Sequence, residues 1–157
     1  MTTAPSDVRV RRPHQHERLM QELQEDGGFP TFRDVLLFAA AVGYRQERRV
    51  PFTTAAGDPI RYDTLTHPAF GEALVGMIAA NVVAEDPEIM DAVRLEERIK
   101  IFEEYANGGL EFLQEQVNVR HKPASAIVID LVAEAFTESG GARPVSVDEL
   151  LKGVTWG

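Results

Sequence analysis

Residues 29–52, FPTFRDVLLFAAAVGYRQERRVPF, constrain the fold more than any other stretch of the sequence. Thr31 and Asp34 have the spacing of a capping box, and Gly43 is a typical residue for a helix end, so the pattern predicts a helix over 32–42. Apolar residues occur on every side of this helix. A helix that is apolar all round belongs inside a core, so we expect the other helices to pack around it.

The remaining sequence predicts further helices from apolar periodicity and end signals. The third predicted helix carries an apolar stripe of Phe70, Leu74, Met77, Ile78 and Val82. Between helices, the tripeptides 50–52 and 60–62 flank a turn sequence, Gly57-Asp58-Pro59, which favours a short, irregular hairpin. We therefore expect an all-α, single-domain bundle of six or seven helices with a hairpin-like insertion near 50–62. Besides 32–42, the predicted helices are 13–25, 68–84, 92–106, 110–118, 123–138 and 147–152.

Length and composition fit one globular domain inside a cell. The 157 residues suffice for one hydrophobic core, and the absence of cysteine excludes disulfides, thiol catalysis and thiolate metal sites. No apolar run approaches the roughly 20 residues of a membrane helix. We expect a polar, disordered tail over 1–8, a helical domain over 9–157 whose C-terminal helices span 123–157, and a cytoplasmic location.

Charge is distributed unevenly along the chain. The net charge is −9, which disfavours a protein whose main task is to grip nucleic acid. Residues 1–62 nevertheless hold nine arginines against eight carboxylates, while residues 63–157 hold seven basic and seventeen acidic residues. Two interpretations stay open for the arginine clusters: a solvated charged surface, or a local basic patch that binds a protein partner or DNA. The candidate residues of that patch are Arg45, Arg48, Arg49, Arg11 and Arg12.

No motif with a catalytic mechanism is present. Glu96, Lys100 and Glu103 share one side of a predicted helix, but on an acidic helix such a cluster is more often a solvated surface than an acid-base or cation site. His14 and His16 lie two residues apart, which separates them on a helix and disfavours a metal pair. A phosphate-binding glycine loop is also absent. We expect no catalytic residue, no metal and no cofactor.

The sequence around residue 107 is unusual because it places an asparagine and two glycines together. Asn107, Gly108 and Gly109 all tolerate a left-handed backbone, so the pattern predicts a helix end between 92–106 and 110–118. A tight corner between two helices is one interpretation, and a ligand or partner contact is the other. The motif as a whole consists of Glu103, Glu104, Tyr105, Asn107, Gly108 and Gly109.

Three segments together resemble a known family. RRPHQHERLMQEL, FPTFRDVLLFAAAVGYRQERRVPF and IKIFEEYANGGLEFLQE, in this order and spacing, resemble the DNA phosphorothioation-associated protein 4 family, also called Dnd system-associated protein 4. The resemblance covers about residues 9–118, and IFEEYANGGL is its most specific part. It implies a setting among proteins that replace a non-bridging phosphate oxygen of DNA with sulfur, and among the bacterial restriction-modification and defence systems that use this mark. It supplies no catalytic residue to carry over.

Two classes of function follow from the residues and the resemblance together. The first is a non-enzymatic accessory or adaptor protein that contacts proteins of the modification or restriction machinery. The second is a DNA-binding or regulatory module that uses the arginines on phosphates. An enzyme ranks third because no motif supplies a mechanism. Weak DNA contact and a second copy of the chain are further partners compatible with the sequence.

Overall fold

The computed structural model describes residues 7–67 and 69–138, and this part of the chain is mostly helical with one small antiparallel sheet. The expectation of an all-α bundle is therefore correct for the helical bulk, but the fold is not purely helical because it contains this two-stranded sheet. Short 3-10 turns at His14–His16, Pro87–Met90 and Ala92–Arg94 connect the main elements. The predicted helix 147–152 lies outside the described residues. The elements are β1 (Arg9–Pro13), α1 (Glu17–Asp26), α2 (Phe32–Arg45), β2 (Ala55–Arg61), α3 (Tyr62–Leu65), α4 (Ala69–Val82), α5 (Leu95–Arg120) and α6 (Ala124–Glu138).

Helix α2 is buried as its sequence predicts. Its first turn is closed by the capping box, in which the Thr31 side chain accepts a hydrogen bond from the Asp34 amide and Asp34 accepts one from the Thr31 amide. The side chains of Val35, Leu36, Leu37, Ala39 and Ala40 are buried. The helix does not end at Gly43 but continues to Arg45. Gly43 lies inside the helix, at its contact with α5.

Gly43 lies where α2 crosses α5, and the two backbones touch there. A Cβ atom on Gly43 would collide with the carbonyl oxygen of Tyr105, and a Cβ on Gly109 would collide with that of Ala39. A Cβ on Gly108 would meet the carbonyl oxygen of Arg48, just beyond α2. Only residues without a side chain permit so close an approach of backbone to backbone. The three glycines therefore set the separation of the two central helices.

The predicted helix end at 107–109 is wrong, because α5 runs without interruption from Leu95 to Arg120. Asparagine and glycine lower helix propensity, each glycine by about 1 kcal/mol relative to alanine. Here the close packing against α2 and the hydrogen bonds of the Asn107 side chain offset that cost. The left-handed residue that ends the helix is His121, with φ of 54°.

The two strands replace both the predicted hairpin and the start of the first predicted helix. β1 pairs with β2 in antiparallel fashion, with Val10 opposite Ile60 and Arg12 opposite Ala56, and a bulge between them. The predicted hairpin near 50–62 is wrong about pairing, since β2 finds its partner about 45 residues earlier in the chain. Because residues 9–13 are extended, α1 begins at Glu17 and not at residue 13.

The other helices surround the α2–α5 pair. α4 and α6 both pack on α5, and α1 packs between α2 and α6. The largest fully buried side chains include Phe102 and Leu110 of α5, Met20 and Leu23 of α1, and Ile78 of α4. Across residues 7–67 and 69–138, no helix has both the length and the apolar character that crossing a membrane requires.

We predict that Gly109→Ala destabilises the protein by about 1–3 kcal/mol, as overpacking of a core does. Its new methyl group would press on the backbone of α2, which cannot yield as a side chain can. Gly76→Ala in α4 is the matched control, because its methyl group meets only the flexible end of Met90. Since alanine is the better helix former, the control variant should be as stable as the parent or more so. Urea unfolding monitored by circular dichroism measures the stability of both variants. Equal unfolding midpoints for the two variants would contradict the close contact of α2 and α5 at Gly109.

Candidate interaction site

The unusual motif on α5 fastens two chain segments to the central helix. The Glu103 carboxylate accepts hydrogen bonds from the backbone N–H and the guanidinium of Arg11 in β1. The Asn107 side chain donates to the carbonyl oxygen of Val50 at 3.0 Å and accepts from Gln15 at 3.2 Å. The backbone carbonyl of Glu104 accepts from the Val50 amide. These polar groups are therefore buried with partners, as buried polar groups must be.

Tyr105 adds an aromatic contact to the same crossing. Its ring meets that of Tyr44 edge to face, with ring centroids 5.9 Å apart. Together with the two glycines, every residue of the motif thus contacts α2, β1 or the segment that follows α2. The first interpretation, a corner between two helices, is wrong because α5 is continuous, and the second, a ligand or partner contact, stays a prediction.

Glu103 is an ionisable group held in a buried position. Burial raises the pKa of its carboxyl above the ordinary value, and the hydrogen bonds from Arg11 work against that rise by lowering it. The carboxylate is almost fully buried, while the Arg11 side chain keeps 39% of its surface exposed. The interactions that lower the pKa of Glu103 all come from one residue, Arg11, through its backbone N–H and its partly exposed guanidinium.

Arg45, the last residue of α2, and the two arginines that follow it, Arg48 and Arg49, all pair with carboxylates of this chain. Arg45 contacts Glu138 at the end of α6 at 2.7 Å, and Arg49 contacts Glu104 at 2.8 Å. Arg48 bridges two carboxylates of α5, at 3.3 and 2.7 Å, and its guanidinium lies over the Phe112 ring at 5.2 Å. The carboxylates that Arg48 bridges are Glu111 and Glu115.

The remaining two arginines of the predicted patch are also engaged. Arg11 pairs with Glu103 and lies over the Phe52 ring at 4.8 Å. Arg12 is buried, with its guanidinium 4.2 Å from the centre of the Phe32 ring, and its Nη1 finds no hydrogen-bond partner among the described residues. Each of the five arginines therefore contacts other groups of this chain. A role for these arginines in binding DNA or a partner stays a prediction.

The candidate cation cluster does not assemble in the described part of the chain. Within residues 7–67 and 69–138, no group of three or more histidine, aspartate or glutamate side chains is placed to hold a metal ion. Glu96 and Glu103 line the same shallow depression beside β1, but Glu103 is committed to Arg11.

Two helices present apolar surfaces that the sequence reasoning missed. In α4, Phe70, Ala73, Met77 and Ala80 are all exposed, Phe70 to 59%, although the periodicity had grouped Phe70 and Met77 with buried Ile78. We call these four residues the α4 face. In α6, Ile129, Val132 and Phe136 are exposed in the same way. A helix that is apolar on all sides gives no signal of which side is buried, so only the packing shows the difference.

We predict that Arg11→Ala destabilises the protein by about 1–3 kcal/mol at pH 7, the usual cost of leaving a buried polar group unsatisfied. Arg11→Ala removes the guanidinium hydrogen bonds and charge that lower the pKa of Glu103 and leaves only the backbone hydrogen bond, so that pKa rises further. A pKa raised by folding means that stability is lost as the pH rises through it. The deficit of the variant should therefore shrink as the pH falls toward the ordinary glutamate pKa of about 4.3.

Urea unfolding at several pH values measures this deficit against the parent. Arg18→Ala, which removes an exposed ion pair with Glu22, is the matched control and should cost less than about 1 kcal/mol at every pH. Adding Glu103→Gln to Arg11→Ala should recover part of the loss at pH 7, because the buried charge is gone. A deficit that does not change with pH would show that Glu103 is not its source.

Comparison with known proteins identifies the family. A family model described as DNA sulphur modification system-associated protein 4 matches residues 9–148, beyond the range of 9–118 over which the sequence motifs show the resemblance. No significant match was found among curated proteins or among solved structures. The match covers β1, the α2–α5 crossing, the whole Glu103–Gly109 motif and α6. The chain belongs to the family of DNA sulphur modification system-associated protein 4.

Proposed function

We propose that this protein is a non-enzymatic accessory protein that acts by binding another protein of a DNA sulphur modification system. The family membership supplies the system. The observation that favours protein contact is the α4 face, an apolar helix surface exposed to solvent next to a well-packed core. Contiguous apolar surface of this kind typically marks a site of protein association.

The state of the arginines favours protein contact over DNA contact. A phosphate that approached Arg45 or Arg48 would have to displace a glutamate already 2.7 Å from the guanidinium. The displaced carboxylates, Glu138, Glu111 and Glu115, would remain nearby and repel the phosphate. Arg49 is held by Glu104, whose carboxylate is nearly buried and would be costly to leave unpaired.

The non-enzymatic part of the proposal rests on the sequence. The 157-residue sequence contains neither a phosphate-binding glycine loop nor another motif that carries a catalytic mechanism. The conspicuous polar residues of α5, which in another setting would suggest acid-base chemistry, hold β1 and the segment after α2 in place.

Copurification tests the proposed protein contact. The full chain, tagged and expressed in cells that carry the genes of a DNA sulphur modification system, is purified and its complexes are separated by size-exclusion chromatography. We expect one protein of that system to elute with the chain in a fixed ratio, before and after nuclease treatment. Elution of the chain without any protein of the system would contradict the proposal, and a complex that nuclease dissolves would favour a DNA-mediated association.

A DNA titration separates the two classes of function. We expect duplex DNA, with or without phosphorothioate, to bind the parent no more tightly than the micromolar to 0.1 mM range that is usual for non-specific contact. Arg45→Ala combined with Arg48→Ala should change this binding little, since both guanidiniums are already paired. Arg49 is left intact so that Glu104 keeps its partner. If the parent bound DNA with nanomolar affinity at physiological salt and the double variant did not, the proposal of an adaptor would be wrong and that of a DNA-binding module would take its place.

A further inference from the structure

The α4 face has the spacing of a helix-pairing seam. Phe70, Ala73, Met77 and Ala80 follow one another at intervals of three, four and three residues, which is the alternation of the two core positions of a coiled coil. The opposite side of α4, with Val75 and Ile78, is buried against the core. The exposed seam therefore offers large and small residues in turn, a surface into which the side chains of one more helix can interlock.

Met90 adds a further apolar side chain beside α4. The turn Pro87–Met90 packs against α4, and the Met90 methyl group lies 3.1 Å from the position that a Cβ on Gly76 would take. Met90 is 48% exposed and Val93, just beyond it, is 66% exposed. Methionine adapts its shape to a partner at little cost, which suits a binding surface.

Acidic residues predominate in the segment that carries the seam. Residues 69–93 contain five carboxylates and no lysine, arginine or histidine. Glu72, Glu85, Glu88 and Asp91 are exposed, whereas Asp86 is paired with Arg94. Arg94 is also bound by Glu97, and the Arg98 guanidinium donates to the backbone carbonyls of Ile89 and Asp91. Four exposed carboxylates thus lie in the segment that carries the apolar residues, with Arg98 as a nearby cation, and we call these four carboxylates the acidic border.

We propose that the α4 face binds an amphipathic helix of the partner protein, one whose apolar stripe is flanked by lysine or arginine. This inference rests on the proposed function and specifies the surface and the chemistry of the partner. The seam spacing selects a helix, and the acidic border selects basic flanks through charge complementarity. A second copy of this chain is the weaker occupant, since symmetric pairing would bring two identical sets of carboxylates together.

The exposed side of α6 lacks that charge signature. Asp130 is neutralised by Lys122 and Arg120, and Glu134 is also bound by Arg120, so the charged groups beside Ile129 and Val132 are already balanced within the chain. Its apolar residues are similar in exposure to those of the α4 face. The α6 side therefore serves as the matched control surface.

Site-specific photo-crosslinking tests the surface. A benzophenone amino acid replaces Ala73 in the full chain, or Ile129 as the control, in cells that carry the genes of the modification system. We expect the Ala73 probe to crosslink a protein of that system, through a peptide that has helical apolar spacing with lysine or arginine beside it. The Ile129 probe should give no such product. A product with a second copy, with residues 139–157 of this chain, or with a peptide lacking basic flanks would overturn the inference.

Charge and apolarity are tested separately by substitution. Met77→Glu should reduce copurification of the partner by about tenfold or more, as loss of an interface anchor does, whereas Ile129→Glu should not. Glu88→Gln with Asp91→Asn should weaken the complex and its salt dependence, while Glu25→Gln with Asp26→Asn, exposed on α1, should change neither. Partner recovery at the parental level with Met77→Glu would overturn this inference and leave the proposed function standing. Failure of the parent itself to bind any protein of the system would overturn both.

Discussion

The direct contact of the α2 and α5 backbones is the constraint on which the rest of the structure depends. Gly43, Gly108 and Gly109 remove the side chains that would hold the helices apart. The close approach of the two helices brings the backbone carbonyl of Glu104 and the side chain of Asn107 within hydrogen-bonding distance of Val50, in the segment that follows α2. A wider crossing would leave these buried polar groups without partners, and each would then destabilise the fold by about 1–3 kcal/mol. The close packing of α2 and α5 and the hydrogen bonds of these buried polar groups therefore depend on each other.

The sequence predicted the parts of the fold that short-range signals determine. The capping box of α2, its burial and the extents of α4 and α6 follow from local periodicity and end residues. The Asn107-Gly108-Gly109 segment was misread because a glycine needed for close packing and a glycine needed for a helix end look alike in one sequence. β1 was missed because its strand is short and its partner, β2, lies far along the chain. The exposure of Phe70 and Met77 had no local signal at all, since it depends on which side of α4 meets α5.

Charge in this protein is used in two different ways. Around α5, the arginines and glutamates pair with each other, so that a region rich in cations presents little free positive charge. Around α4, carboxylates border an apolar surface with few opposing charges. The arginine clusters are conspicuous in the sequence because several arginines lie close together. A cluster in the sequence does not show, however, that its side chains are free to bind another molecule. The α4 face, which we propose as the partner surface, combines exposed apolar area with carboxylates of the same segment, so it would offer a partner both hydrophobic and electrostatic contacts.

The position of β1 also has a consequence for synthesis of the protein. Arg11 of β1 and its partner Glu103 of α5 are separated by 92 residues. β2, which pairs with β1, lies between them in the chain. At a translation rate of about 5–20 residues per second, the N-terminal strand leaves the ribosome roughly 5–20 s before the helix that fastens it. Val8 and Val10, buried in the finished fold, cannot be covered by α5 during that interval. Arg9, Arg11 and Arg12 place charge next to these two valines, in the way that charged residues commonly flank apolar segments and oppose their aggregation.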